Sequence, residues 1–226
     1  MKSEITIMLT HNDFTVKNAL EVFESCKDLP VSHWGFKDVG ISVDEMIALN
    51  KVMKSAGKKT FLEVVTYTEE ECLDGARLAC KCGCDYLTGG RFYPSVLDEI
   101  KGAIVKYFPF CGDVGGSPVS VKGTIEEVVS DSRRLLEAGA DGVDLAAYRT
   151  TNGYPISLAK AVLNEVGAEK IIIAGSIDSE ERIDLMDSIG AFTYTIGSAL
   201  FDLKFVKNGS FRDNLEHVIK FRSERR

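Results

Sequence analysis

Three short apolar stretches of this 226-residue chain each carry one ionisable side chain at a position that should face inward: Lys37 in "SHWGFKD", Glu63 in "TFLEVV" and Asp144 in "GVDLAAY". Successive side chains of a strand point to opposite faces. Leu62 and Val64 suit packing beneath helices, which turns Glu63 the other way. Val143 and Leu145 do the same for Asp144, which shares its face with Ala146. Trp34 and Phe36 leave His33, Gly35 and Lys37 on the inner side. Desolvating an isolated charge costs several kcal/mol, so three such groups in one interior should pair with one another. Glu63 or Asp144 could remove a proton next to a carbonyl while Lys37 stabilises the enolate oxygen, each effect contributing about 10²-fold or more. Lys37 could instead, with its pKa lowered in the interior, form a Schiff base with a ketone. The competing reading is a structural Lys37–Glu63 ion pair without chemistry. His33 is expected to be a packed or hydrogen-bonded interior residue.

Further candidates stand where the strands should end. His11, Asn12 and Asp13 follow the first strand, Arg91 the fourth, Asp113 the fifth and Arg149 the sixth. His11, Asp13, Arg91, Asp113 and Arg149 are read as substrate-binding groups. Each has a plainer alternative: a helix cap for His11 or Asp13, a solvated loop charge for either arginine, and a turn former for Asp113 in "CGDVGG". Glu63, Asp113 and Asp144 match no recognised cation-ligand spacing, so no metal is assigned.

Two further stretches, "IIIAGSIDS" and "YTIGSALFD", each run through apolar residues into a Gly-Ser pair, Gly175-Ser176 and Gly197-Ser198. A turn from strand to helix can bind an anion through backbone N–H groups, glycine allowing close approach and serine adding a hydroxyl. These four residues are read as a phosphate cradle, with "SALFD" as a short helix behind it.

These residues must be positioned by an alternation of strands and helices. Candidate strands are "EITIMLT", "SHWGFKD", "TFLEVVT", "CDYLTGG", "YFPFCGD", "GVDLAAY", "KIIIAGS" and "AFTYTIGS". Between them, apolar residues recur at three- and four-residue spacing in stretches such as "VDEMIALNKVMKSAG" and "TIEEVVSDSRRLLEAGA", several ending in glycine. Ser42 with Glu45, Thr68 with Glu71, Thr124 with Glu127 and Asp178 with Glu181 have the spacing of reciprocal N-terminal caps. Such a rhythm specifies a parallel sheet, and eight units specify a closed (β/α)₈ TIM barrel, with an open doubly wound sheet as the alternative. No Pro- or Gly-rich linker divides the chain, so residues 1–226 are expected to form one domain, closed by a final helix in "FRDNLEHVIKFRSERR". In such barrels phosphate is held after strands seven and eight, which is where both Gly-Ser pairs fall.

The stretch "IIIAGSIDSEERIDLMDSIGAFTYTIGSALF" resembles the last quarter of the ribulose-phosphate-binding barrels, a superfamily of phosphosugar isomerases, epimerases and decarboxylases. Gly175, Ser176, Gly197 and Ser198 match that superfamily's phosphate positions. Many members carry a second glycine where this chain has Ser176. The decarboxylases' Asp-x-Lys-x-x-Asp array has no counterpart in "GFKDVG", and no single member's full catalytic signature is present. The expectation is an enzyme of carbohydrate metabolism that isomerises or epimerises a small phosphorylated sugar or keto compound by enolisation. The alternatives are an aldolase-type lyase using Lys37, phosphoribosyl-transfer or decarboxylase chemistry, and a non-catalytic barrel that binds a phosphorylated metabolite or a partner protein.

Composition narrows the partners. The formal net charge is −7, with 45% hydrophobic and 27% charged residues. An acidic surface argues against nucleic acid and anionic membranes, and no apolar run approaches the ~20 residues of a membrane helix. The expected partner is a small phosphorylated substrate, with homo-oligomer formation left open. Nothing calls for a nucleotide, flavin or other cofactor. "MKSEITIMLTHND" lacks the apolar core of a signal peptide, so a cytoplasmic location is expected. Cys80, Cys82 and Cys84, with Cys72 upstream, lack the second ligand pair of a zinc site and are expected to be reduced, mostly buried thiols.

Overall fold

The computed structural model describes residues 2–151 and 153–225. Eight parallel strands form one sheet: β1 (Glu4–Met8), β2 (His33–Lys37), β3 (Lys59–Val64), β4 (Tyr86–Gly89), β5 (Lys106–Phe108), β6 (Val143–Leu145), β7 (Ile171–Ile173) and β8 (Thr193–Ile196). Their order is β6-β7-β8-β1-β2-β3-β4-β5. The β5 and β6 edges meet just beyond the regular ladder. Asp144 N donates to Pro109 O at 2.8 Å, and Cys111 N donates to Asp144 O at 3.0 Å. The chain is a single-domain TIM barrel.

The helices are α1 (Ala19–Glu24), α2 (Val43–Ser55), α3 (Glu69–Cys82), α4 (Pro94–Glu99), α5 (Ile125–Glu137), α6 (Pro155–Val166), α7 (Glu180–Ile189), α8 (Ser198–Phe201) and α9 (Phe211–Glu224). Reciprocal capping boxes start α2 at Ser42/Glu45, α3 at Thr68/Glu71 and α5 at Thr124/Glu127. Each such cap typically contributes ~1 kcal/mol. The expected Asp178/Glu181 box does not form. Ser179 caps α7 by accepting from Arg182 N, while Asp178 accepts from the Arg182 guanidinium at 2.9 Å. Arg182 thus draws Asp178 away from the helix start. Helix α9 is the expected closing helix, and the end of its stretch, Arg226, lies outside the described residues.

Strand alternation sorts the interior. Trp34, Phe36, Leu62, Val64, Val143 and Leu145 lie in the large core between sheet and helices. Trp34, for example, packs edge-on against Phe23 of α1 with ring centroids 5.0 Å apart. Burying each such side chain contributes roughly 1.5–3 kcal/mol. Inside the barrel, Phe61, Tyr86, Phe108 and Ile172 form a separate apolar plug with Phe192. His33 packs into it, 5.2 Å from Phe61 and 5.4 Å from Phe192 by ring centroids. With its N-terminal end filled, the barrel keeps its polar interior at the C-terminal ends of the strands.

Two short antiparallel hairpins decorate that end. One pairs Thr10–His11 with Phe14–Thr15, and the other pairs Asp113–Gly115 with Ser120–Lys122. No helix among the described residues is long and apolar enough to cross a membrane. All six cysteines are free, with Cys80 partly exposed and the others buried. Among the described residues no group of three or more His, Cys, Asp or Glu side chains could hold a metal ion.

Candidate active site

Parallel pairing sets Lys37 beside Glu63 in register at the tops of β2 and β3. The Lys37 ammonium lies 3.9 Å from Glu63 Oε2 and donates to Asp13 Oδ1 at 2.7 Å. Asp13 reaches it because Asn12 and Asp13 both adopt left-handed backbone, at φ 50° and 65°, folding the first hairpin over the barrel. Asn and Asp tolerate that region better than most residues. Thr15 fixes the hairpin: its hydroxyl donates to Lys37 O and accepts from Lys37 N, both at 2.8 Å.

Lys37 is almost fully buried. Burial alone would lower its pKa, but the Glu63 carboxylate and the bonded Asp13 outweigh that and raise it, so the ammonium is held charged. Asp144 is 1% exposed, and its Oδ1 has no hydrogen-bond partner among the described residues. Burial first, and the neighbouring Glu63 second, push its pKa well above the carboxylate range against the pull of Lys37 and Arg149. Its neutral, protonated form is favoured over the carboxylate. Its backbone makes the rung that closes the barrel, and its side chain is not part of the lining of the adjacent cavity.

Lys37 and Glu63 line a cavity of about 270 Å³ that also holds Asp13, Arg149, Gly175, Ser176, Gly197 and Ser198. The turns after β7 and β8 supply four of its lining residues, Gly175, Ser176, Gly197 and Ser198. Gly175 has φ +80°, and a Cβ there would stand 2.8 Å from Arg149 Nε. At Gly197 a Cβ would stand 2.8 Å from Thr10 Oγ1. Ser176 also takes left-handed backbone, at φ 60°, the strain expected of a serine where glycine would sit freely. It is held from both sides: Arg149 Nε donates to its hydroxyl at 3.4 Å, and Arg182 donates to its carbonyl at 2.5 Å. Ser198 opens the short α8, as "SALFD" suggested.

The other sequence candidates lie elsewhere. His11 does not line the cavity itself; it pairs at 2.9 Å with Asp202, which does, and packs against Phe201. Arg91 donates to Val114 O at 3.0 Å and stands 3.7 Å from Asp113. Both lie at the barrel's C-terminal end, where they tie down the second hairpin outside the cavity wall. Several lining residues are not site candidates from the sequence: Thr10, Thr195, Asp202, Lys204 and Asp178, the last expected only as a helix cap. Thr195 was accessible to the alternation rule, since Tyr194 and Ile196 flank it on the core side. Lys204 follows α8 in an irregular segment and carries no periodic signal.

No family model matches the chain, and no curated protein does. Solved structures do. The native KDPGal structure, that of an aldolase, superposes with a TM-score of 0.67 at 13% identity, covering 99% of this chain and 96% of that one. N-acetylmannosamine-6-phosphate 2-epimerase from Clostridium perfringens gives 0.62 at 12%, covering 88% and 87%. Orotidine 5'-phosphate decarboxylase from Pyrococcus horikoshii OT3 gives 0.66 at 11%, covering 96% and 98%. These neighbours are ribulose-phosphate-binding-type TIM barrels, mostly enzymes, and this chain shares their fold. No single member is matched. Their differing reactions leave the chemistry to be argued from this chain's own residues.

Proposed function

We propose that the chain is an enzyme that enolises a small phosphorylated sugar or keto compound, as an isomerase or epimerase. The observation that carries this reading is Lys37, held charged by Asp13 and Glu63 in a cavity that the Gly175-Ser176 and Gly197-Ser198 turns also line. A charged ammonium is suited to stabilising an enolate oxygen. Glu63, beside it, lines the same cavity, removes the proton next to the carbonyl and returns it in the second half of the reaction. The turns and Arg149 hold the phosphate. The scheme needs no metal or organic cofactor.

The aldolase alternative needs Lys37 as a neutral amine. Its raised pKa disfavours that role. Borohydride trapping in the presence of substrate separates the two, since only a Schiff base leaves a stable adduct on Lys37. A non-catalytic barrel would keep ligand binding in Glu63→Gln and Asp144→Asn, with no turnover at any pH. The first test is a thermal-shift screen of phosphosugars and phosphorylated keto acids on wild type and Gly197→Asp. The expected result is stabilisation of the wild type by at least one phosphorylated compound, lost in the variant. A wild type that responds to none of them contradicts the cradle.

A further inference from the structure

A second cavity, of about 190 Å³, is also lined by the Lys37–Asp13 ion pair. Both residues line both cavities, so the two chambers meet at this pair. The phosphate turns belong to the first chamber only. The second is built from Phe14 of the first hairpin, Asp38 and Val39 after β2, Val65 and Thr66 after β3, and Ser117 of the second hairpin.

We propose that this second chamber is a specificity subsite for the end of the substrate farthest from the phosphate, and that it selects a neutral, hydroxyl-bearing end over a second anion. The inference rests on the phosphate reading above, which fixes the substrate's other end. Asp13 and Asp38 together oppose the single ammonium of Lys37, so an incoming carboxylate or second phosphate meets like charge on two sides. Asp38, Thr66 and Ser117 offer hydroxyl and carboxyl groups that can exchange hydrogen bonds with sugar hydroxyls. Phe14, Val39 and Val65 supply apolar wall for the carbon chain. Burial pushes the Asp38 carboxyl up to about 6, so it is still mostly an acceptor at neutral pH. A substrate spanning both chambers carries its reacting carbons past Lys37, so chain length should be read as affinity.

The test measures calorimetric affinity for inorganic phosphate, dihydroxyacetone phosphate and a five-carbon ketose phosphate. It compares wild type with Asp38→Asn and with Thr66→Phe, which fills the chamber. In wild type the five-carbon compound should bind about tenfold more tightly than the three-carbon one, the gain expected of one or two added hydrogen bonds. That gain should disappear in Thr66→Phe and shrink in Asp38→Asn, with phosphate affinity unchanged throughout. If phosphate binds but the length gain is missing in wild type, or survives in both variants, the subsite is overturned and the cradle stands. If phosphate binds none of the three proteins, the cradle fails and the subsite fails with it. The exclusion of a second anion is read separately: a five-carbon bisphosphate that binds wild type as tightly as the monophosphate overturns it.

Discussion

The Lys37 ammonium donates to Asp13 Oδ1 at 2.7 Å, joining the second barrel strand to the tip of a hairpin that follows the first. Opposed by burial, the ion pair still prevails, because Glu63 adds a second carboxylate 3.9 Å away. Removing either anion therefore changes the state of the lysine as well as its position. Asp13→Asn should lower the pKa of Lys37, and with it the upper limit of the pH range over which turnover is maximal. A kcat/KM pH profile of the variant checks this, with a downward-shifted alkaline limb expected.

Lys37→Met should reduce kcat/KM by about 10²-fold or more, the usual cost of losing a group that stabilises developing negative charge. The same substitution removes the counter-charge of a buried carboxylate, so folding must be verified by circular dichroism. Steady-state kinetics on the folded variant give the answer.

Asp144 predicts an unusual pH dependence of stability. Its pKa is raised in the folded protein above the unfolded value of about 3.9. The folded state therefore holds a proton that the unfolded chain releases. That contribution is fully present below about pH 3.9 and is lost as pH rises toward the folded pKa. Asp144→Asn should flatten this slope, so that the variant's Tm relative to wild type rises between acid and neutral pH. Thermal melts across that range measure it.

His33 works in the opposite direction. Its Nδ1 is buried with no hydrogen-bond partner among the described residues, and burial lowers its pKa. The unfolded chain takes up a proton below about pH 6.5, while the folded protein resists doing so. Stability linked to His33 is present above that pH and is lost as pH falls through the folded pKa. His33→Leu should gain Tm over wild type at pH 5 relative to pH 8. Comparing melts of the two proteins at these pH values tests it.

The turn at Ser176 carries backbone strain at φ 60°. Ser176→Val, β-branched in the left-handed region, should cost about 1–3 kcal/mol. Ser176→Gly should be neutral to slightly stabilising, because relief of strain offsets the added freedom of the unfolded chain. Denaturant titrations of both variants resolve the difference.

The barrel is legible because several strands write their burial as alternation and the starts of α2, α3 and α5 are marked by capping boxes. Trp34 and Phe36 against Lys37, and Leu62 and Val64 against Glu63, are enough to orient their strands. What alternation could not supply was contact between loops. Asp13 was read as a substrate group or a helix cap, and nothing local shows that left-handed backbone at residues 12 and 13 would bring it to Lys37. His11 likewise looks like part of the site until Asp202, far along the chain, takes it. Asp38 went unremarked as a site residue, since its surroundings come from both hairpins and two strand ends. The Asp178/Glu181 cap failed for the same reason, with Arg182 binding both Asp178 and the Ser176 turn.

The central claim is proton removal next to a carbonyl, with Glu63 as base and Lys37 as a charged partner. It is tested most directly by incubating the enzyme in deuterium oxide with a phosphosugar that stabilises it, and following solvent deuterium into the sugar by mass spectrometry. The account predicts uptake of one deuterium at the carbon beside the carbonyl, slowed about 10²-fold or more by Glu63→Gln, and no borohydride-stable adduct on Lys37. A bound phosphosugar that takes up no deuterium, or uptake that survives Glu63→Gln at the full rate, would contradict it.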